Sequence, residues 1–389
     1  MRAGTTHEGG RQMLHKLRQR LATSLFAFGA LLGSAQASMY SDLVFFGDSL
    51  SDTGNVLSLT TAFSPPPFPS FPAAPGRFSN GPVWTEHLAQ GLGLAGNAAP
   101  SNLLFAGAPG VIPIGAQGGQ NFSFGGARTG LDGSAGPTTG LSGQLIAWNG
   151  SVFNPATGLT RAADPGALYV VLAGANDLRD ARTANPGATA GDAAARTAAA
   201  QLTAGNVSNA IGLLAQAGAR HFLVSSLPDL GLTPEATTLG NVAASTDVTL
   251  KFNAALAAAM AALDALFLGQ AGIDLDIRAL DFFGLSNSIH QDAVGTGSVY
   301  GISNVTAPCI APVAPGAYFV PGSVDLNCAV SAFSDDLHPS AAVHRLLGQL
   351  AVATAVPEPG SLVLVALALT LLVGRGRRAP LARLPSGRY

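Results

Sequence analysis

The sequence predicts an α/β protein built in three layers, with a mostly parallel central sheet between helices. Three observations predict it. Short all-apolar runs, LVFF at 43–46 and ALYVVLA at 167–173, have the character of strands buried on both faces. Long Ala- and Leu-rich stretches of helical length separate later runs of the same kind, the alternation that builds parallel sheets. No segment repeats at a solenoid period.

The strands are expected at 43–46, 167–173, 221–226 (HFLVSS) and within 273–283, where 277–280 is the core of the fourth. Helices are expected at about 192–217 and 247–267. A last helix starts with Pro339 in its first turn, where the missing N–H costs nothing, and repeats Ala342, Leu346, Leu347 and Leu350 at helical spacing. The residue before a proline is pushed away from helical angles, so His338 is expected to be extended at the helix entrance. Two stretches read as loops, the Pro- and Phe-dense 64–75 and the Gly- and Pro-rich 295–327; each is a candidate wall of a site or plain surface.

Both ends read as addresses. Lys16, Arg18 and Arg20 precede an apolar run at 21–32 and the small-residue site Ala35-Gln36-Ala37. That is the order of a secretory signal peptide over 1–37, with 1–12 a possible upstream extension before Met13. At the other end Pro357-Glu358-Pro359 is followed by an uncharged stretch, 361–373, and by Arg375, Arg377 and Arg378. The stretch is shorter than the roughly 20 residues of a comfortable membrane span. Pro-Glu-Pro, apolar segment and arginine cluster, in that order, resemble the PEP-CTERM sorting signal of Gram-negative bacteria. The resemblance implies transient anchoring in the inner membrane, removal of 356–389 by an exosortase, and release to the cell surface or beyond. A plain C-terminal anchor is the alternative.

Between the ends, 38–355 is expected to be one domain of about 320 residues, long enough for a core without a disulfide scaffold. Cys309 and Cys328, the only cysteines, both lie before the histidine described below. In an exported chain they are expected to pair, with two buried thiols as the alternative. They make no structural zinc site by themselves, and no cofactor or metal is expected. The net charge of −2, with 11% charged residues, offers no basic stripe for nucleic acid.

Chemistry concentrates in two places. Gly47-Asp48-Ser49-Leu50 follows the first strand and opens GDSLSDTGN; far downstream stands Asp335-Asp336-Leu337-His338-Pro339. A serine nucleophile needs a base to take its proton, and the base needs a carboxylate to hold it. Asp335 or Asp336 with His338 supplies both from one turn. A GxSxG elbow is absent around Ser49, and so is a GxxxxGK[ST] phosphate loop. Asp48, Asp52, Asn55 and Asp177 read as loop braces, and Trp84 and Phe78 as core. His87, His221, His290 and His344 have no partner at catalytic spacing.

With NFSFGGA at 121–127, GAND at 174–177 and GRFSNGPVW at 76–84, the chain resembles the GDSL-type lipase/esterases of the SGNH hydrolase family, over nearly the whole of 43–338. The resemblance implies a flavodoxin-like α/β/α fold and hydrolysis of carboxylic esters. It selects Asp335, three residues before the histidine, as the acid beside Ser49 and His338. It also implies an oxyanion hole of the Ser49 N–H, the Gly126 N–H and the Asn176 side chain, with Gly125 the rival for the glycine. Lipid or acyl esters are the expected substrates. The alternatives are O-acetyl groups of an exopolysaccharide, or a weakly active surface protein retaining the fold.

Overall fold

The four runs expected to be strands form one parallel sheet in a computed structural model, which describes residues 39–70, 75–152 and 158–356. The strands are β1 (Leu43–Gly47), β2 (Leu168–Leu172), β3 (His221–Ser225) and β4 (Asp276–Leu280), hydrogen-bonded in that order. Val44, Tyr169, Phe222 and Ile277 stand in register across it. Beyond β1, Phe45 bridges Asn121, so the stretch carrying NFSFGGA lies along the outer edge of the sheet.

Helices follow in chain order as α1 (Asn55–Phe63), α2 (Trp84–Gly91), α3 (Leu141–Asn149), α4 (Ala175–Ala184), α5 (Ala190–Ala217), α6 (Val242–Ala271), α7 (Phe282–Gly295) and α8 (Ala341–Ala355). They cover both faces of the sheet. On one face α5 packs on α6, and Trp148 of α3 meets Phe46 and Tyr169 edge-on. On the other, α8 packs on α2 and against β4, where the Arg278 guanidinium donates to the Ala355 carbonyl at the end of α8. β1 and β2 are buried along their whole length, as a sheet covered on both faces requires.

Several elements depart from the expected pattern. α1, α2, α3, α4 and α7 were not expected. α1 follows the Ser/Asp/Gly-rich GDSLSDTG, and α4 begins within GAND, so turn-forming residues hid both helix starts. α8 begins two residues later than expected. Ser340 is its N-cap, accepting from the Val343 N–H at 3.4 Å, so Pro339 precedes the cap and pairs with Phe333 in an isolated bridge. The stretch 295–327 is not all loop, since Asn304–Pro308 pairs with Ser331–Phe333 and Ile310–Ala311 with Val324–Asp325. Cys309 and Cys328 are bonded there, their Cα atoms 5.1 Å apart. The proposed export and sorting segments, 1–37 and 356–389, lie outside the described residues except for Val356.

Candidate active site

Ser49 sits just past the carboxyl end of β1, where ligands of open parallel sheets bind. Gln144 of α3 fixes that strand end: its amide donates to the Gly47 carbonyl at 2.8 Å and accepts from the Gly47 N–H at 3.0 Å. Gly47 has no room for a side chain, since a Cβ would lie 2.4 Å from the Leu172 carbonyl of β2. No motif flagged Gln144; its polarity on an otherwise apolar helix face is its only signal in the sequence.

Across the cleft, the turn before α8 carries Asp335 and His338. The Ser49 hydroxyl lies 2.8 Å from His338 Nε2, and His338 Nδ1 lies 2.7 Å from Asp335 Oδ2. Asp335 Oδ1 accepts the Leu337 and His338 N–H groups, at 2.8 and 2.5 Å, which folds the turn around the carboxylate. Burial by itself raises the Asp335 carboxyl, but the facing His338 ring and these hydrogen bonds hold it below the ordinary carboxylate range. Asp336 points elsewhere and accepts the Tyr318 hydroxyl at 2.8 Å. The His338 ring is bracketed by Phe78 and Phe319, at 5.3 and 5.9 Å between centroids. Phe78, expected as core, therefore has a second role in seating the imidazole. Phe319 belongs to the stretch closed by the Cys309–Cys328 bond, and Cys309 N–H donates to Phe333 O just before the turn. Trp84 is core, as expected, its indole N–H reaching the Ser51 hydroxyl at 3.1 Å.

The expected oxyanion donors meet at the same cleft. Gly126 has a φ of +74°, and a Cβ there would run 2.1 Å from the Ser134 hydroxyl, so only glycine fits. The neighbouring Gly125 N–H is committed to Asp52 at 2.9 Å. Among the described residues, the Ser49 and Gly126 N–H groups donate to no protein acceptor. Asn176, in the first turn of α4, donates one amide hydrogen to the Ala127 carbonyl at 2.9 Å and accepts from Arg179 Nη1 at 3.2 Å. That pairing orients the amide and leaves its second hydrogen for the cleft. Arg179 is itself held by Glu235, which Arg182 also grips. Burial would raise Glu235, yet the two arginines keep its carboxyl below the ordinary range. Arg179 and Glu235 escaped sequence reasoning because nothing local relates two residues 56 positions apart.

The expected braces are braces. Asp52 accepts the N–H groups of Gly54, Asn55, Val56 and Gly125, tying the Ser49 turn to the start of α1 and to the glycine strip. Asn55 donates to the Asn121 and Ser123 carbonyls, and Asp177 accepts the Thr129 N–H and hydroxyl. Asp48 accepts the Leu50 N–H at 3.0 Å, but its other oxygen is buried without a partner among the described residues. Burial pushes its carboxyl up to about 7.

A pH dependence of stability follows. The unfolded Asp48 carboxyl titrates near its ordinary 3.8 and the folded one near 7, so its buried charge costs stability in full above pH 7. That cost shrinks on acidification and vanishes below about pH 4. It is a few kcal/mol at most, at about 1.4 kcal/mol per pH unit. Asp48→Asn should therefore raise Tm relative to wild type above pH 7, with the gain fading toward pH 4. Thermal unfolding of both proteins across that range checks it, and a gain that grows toward pH 4 would contradict the assignment.

Two cavities meet at Ser49, Asn176, Leu337 and His338. One is a narrow, largely apolar pocket running between the stretch 228–233 that follows β3, α7 and the start of α8. The other is a broad cleft walled by α1, by Phe68 and Tyr318 from the two expected loops, and by Gly126 and Arg179. Both stretches expected as loops thus supply walls.

The chain matches the GDSL-like lipase/acylhydrolase family over residues 43–351. Among characterised proteins it is similar to esterase EstA of Pseudomonas aeruginosa, 32% identical over 236 residues, 56% of this chain and 33% of EstA. It thus spans about a third of that relative. The phosphatidylcholine-sterol acyltransferase of Aeromonas hydrophila is 25% identical over 80% of this chain and 88% of its own length. A solved lipolytic protein of the G-D-S-L family from Veillonella parvula aligns with a TM-score of 0.34 at 12% identity, covering 81% of this chain and 95% of that one. With the match extending from β1 to within α8, the chain belongs to the GDSL-like lipase/acylhydrolase family.

Proposed function

We propose that the chain is an exported serine ester hydrolase that cleaves lipid or acyl esters through an acyl-enzyme. The observation that carries this reading is the Ser49–His338–Asp335 relay, with contacts of 2.8 and 2.7 Å, opening on two unclaimed N–H groups. Ser49 Oγ attacks the ester carbonyl while His338 Nε2 takes its proton, and Asp335 holds the imidazole in the required tautomer and stabilises its charged form. The carbonyl oxygen, now negative, receives the Ser49 and Gly126 N–H groups and the free Asn176 amide hydrogen. Collapse expels the alcohol, which takes the proton from His338. Water then enters, gives a proton to the same nitrogen, and releases the acid and the Ser49 hydroxyl.

Hydrolysis of short p-nitrophenyl esters by purified domain tests the reading, and its absence in folded protein overturns it. Release of acetate from O-acetylated polysaccharide, compared in the same panel, identifies the rival substrate class. Arg179 supports the reading as a positioning residue. Arg179→Ala should lower kcat by about tenfold to a hundredfold, part of the loss expected for a whole oxyanion donor, with KM little changed. In an Asn176→Ala background the same substitution should cost nothing further. Additive losses would mean that Arg179 does not act through Asn176.

The export part rests on the sequence of the ends. In this reading 1–37 are removed on secretion, the arginines Arg375, Arg377 and Arg378 keep the tail's end cytoplasmic, and an exosortase-type enzyme removes 356–389. Intact mass of the protein recovered outside the cell tests it. A species still carrying Arg378 and Tyr389 would mean that the tail is not processed.

A further inference from the structure

We infer that the narrow pocket receives the acyl chain of the substrate and the broad cleft receives its alcohol, so that the enzyme favours unbranched acyl chains longer than acetyl on bulky alcohols. This rests on the ester-hydrolase reading above. The two cavities share Ser49 and His338 but differ in character. Leu230, Phe282, Ile289, Val305 and Val343 line the narrow one, all buried. Its polar lining is largely committed elsewhere: Asp229 accepts the Gly231 N–H and the Thr246 hydroxyl, and the Thr233 hydroxyl donates to the Leu230 carbonyl. Asp48 Oδ2 and His290 Nδ1 are buried without partners among the described residues, and two isolated atoms do not make a site for a polyhydroxylated group. The broad cleft, by contrast, carries Arg179, Glu235, Asp336 and Tyr318 in its walls.

The order of bond-breaking decides which half goes where. The acyl group stays bonded to Ser49 Oγ after the alcohol departs, and the alcohol must leave before water can enter. A group that stays suits the narrower and more enclosed pocket, whereas one that must leave, and be replaced by water, suits the wider and more open cleft. The apolar lining rewards each buried methylene by up to about fourfold in kcat/KM.

The test measures kcat/KM on two substrate series: p-nitrophenyl esters from acetate to decanoate, and acetate esters of alcohols of increasing size. Wild type should prefer butyrate or longer over acetate by at least about tenfold. Val305→Phe and Ile289→Phe, which fill the pocket, should lower the ratio of octanoate to acetate by about tenfold or more. Val305→Ala, a milder change suited to a buried site, should move the optimum to longer chains. Ala135→Trp, in the broad cleft, should change the alcohol series and leave the acyl ratio where it was. Pocket variants that shift the alcohol series would reverse the assignment. A flat acyl profile in wild type would refute it outright. Covalent labelling of Ser49 by a methyl phosphonate keeps these outcomes separate from failure of the ester-hydrolase reading, in which Ser49 would not label at all.

Discussion

Replacing Ser49 with alanine is expected to abolish ester hydrolysis, a loss of about 10⁴-fold or more, while the protein stays folded. The hydroxyl is buried at the strand end, and its one hydrogen bond among the described residues is the 2.8 Å bond to His338 Nε2. Removing it takes away the attacking atom and one hydrogen bond but leaves β1, its neighbour β2 and the Gln144 clamp untouched. Stability should therefore change by less than about 1 kcal/mol. Turnover of p-nitrophenyl butyrate and thermal unfolding, measured together, decide the matter. A folded variant that keeps more than about a hundredth of wild-type turnover would remove Ser49 from the nucleophile's role.

Asp335→Asn is expected to cost about 10³ to 10⁴ in kcat, and Asp336→Asn no more than about threefold. The two carboxylates are adjacent in sequence yet do different things. Asp335 faces His338 Nδ1 at 2.7 Å and accepts two N–H groups of its own turn, so an amide there favours the wrong imidazole tautomer and removes the charge facing the imidazolium. Asp336 accepts the Tyr318 hydroxyl in the cleft wall, and its carbonyl accepts the Glu235 N–H; an asparagine keeps both bonds. Equal losses in the two variants, or a larger one at Asp336, would show that the acid has been misassigned. A pH–rate profile adds a check, since only Asp335→Asn should distort the limb set by the base.

Much of this was legible in the sequence, for a physical reason. β1 and β2 are buried along their whole length, so each appears as a short uninterrupted apolar run, and Ser49 and Asn176 stand just beyond their ends, where motifs are short and local. Asp52 and Asn55 read correctly as braces because carboxylates and amides next to turn glycines have backbone N–H and carbonyl groups within reach. Five of the eight labelled helices did not read, nor did the short helix Pro234–Thr238. α1 and α4 start in residues that also make turns, and α7 carries Phe282, Phe283 and Ser286 to Ser288 where good helix formers were expected. The positioning network was illegible too. Gln144, Arg179 and Glu235 owe their roles to partners 97, 3 and 56 residues away, and only the fold brings the distant pairs together. Phe78 was placed in the core and is buried there, but its position against His338 depends on a turn more than 250 residues downstream.

The bond between Ser49 and His338 spans 289 residues. On the proposed mechanism, a chain made from its amino terminus therefore completes the Ser49 turn, the glycine strip and α4 long before it has a base to use. Until α8 docks on α2 and draws the Asp335 turn into place, Ser49 is an ordinary alcohol. On that mechanism catalysis begins only once almost the whole domain has been assembled, and the onset of ester hydrolysis becomes a clock for the final docking step. In a refolding experiment, turnover should rise no earlier than the slowest spectroscopic phase, and any partly folded form lacking α8 should be chemically silent toward the acyl esters around it.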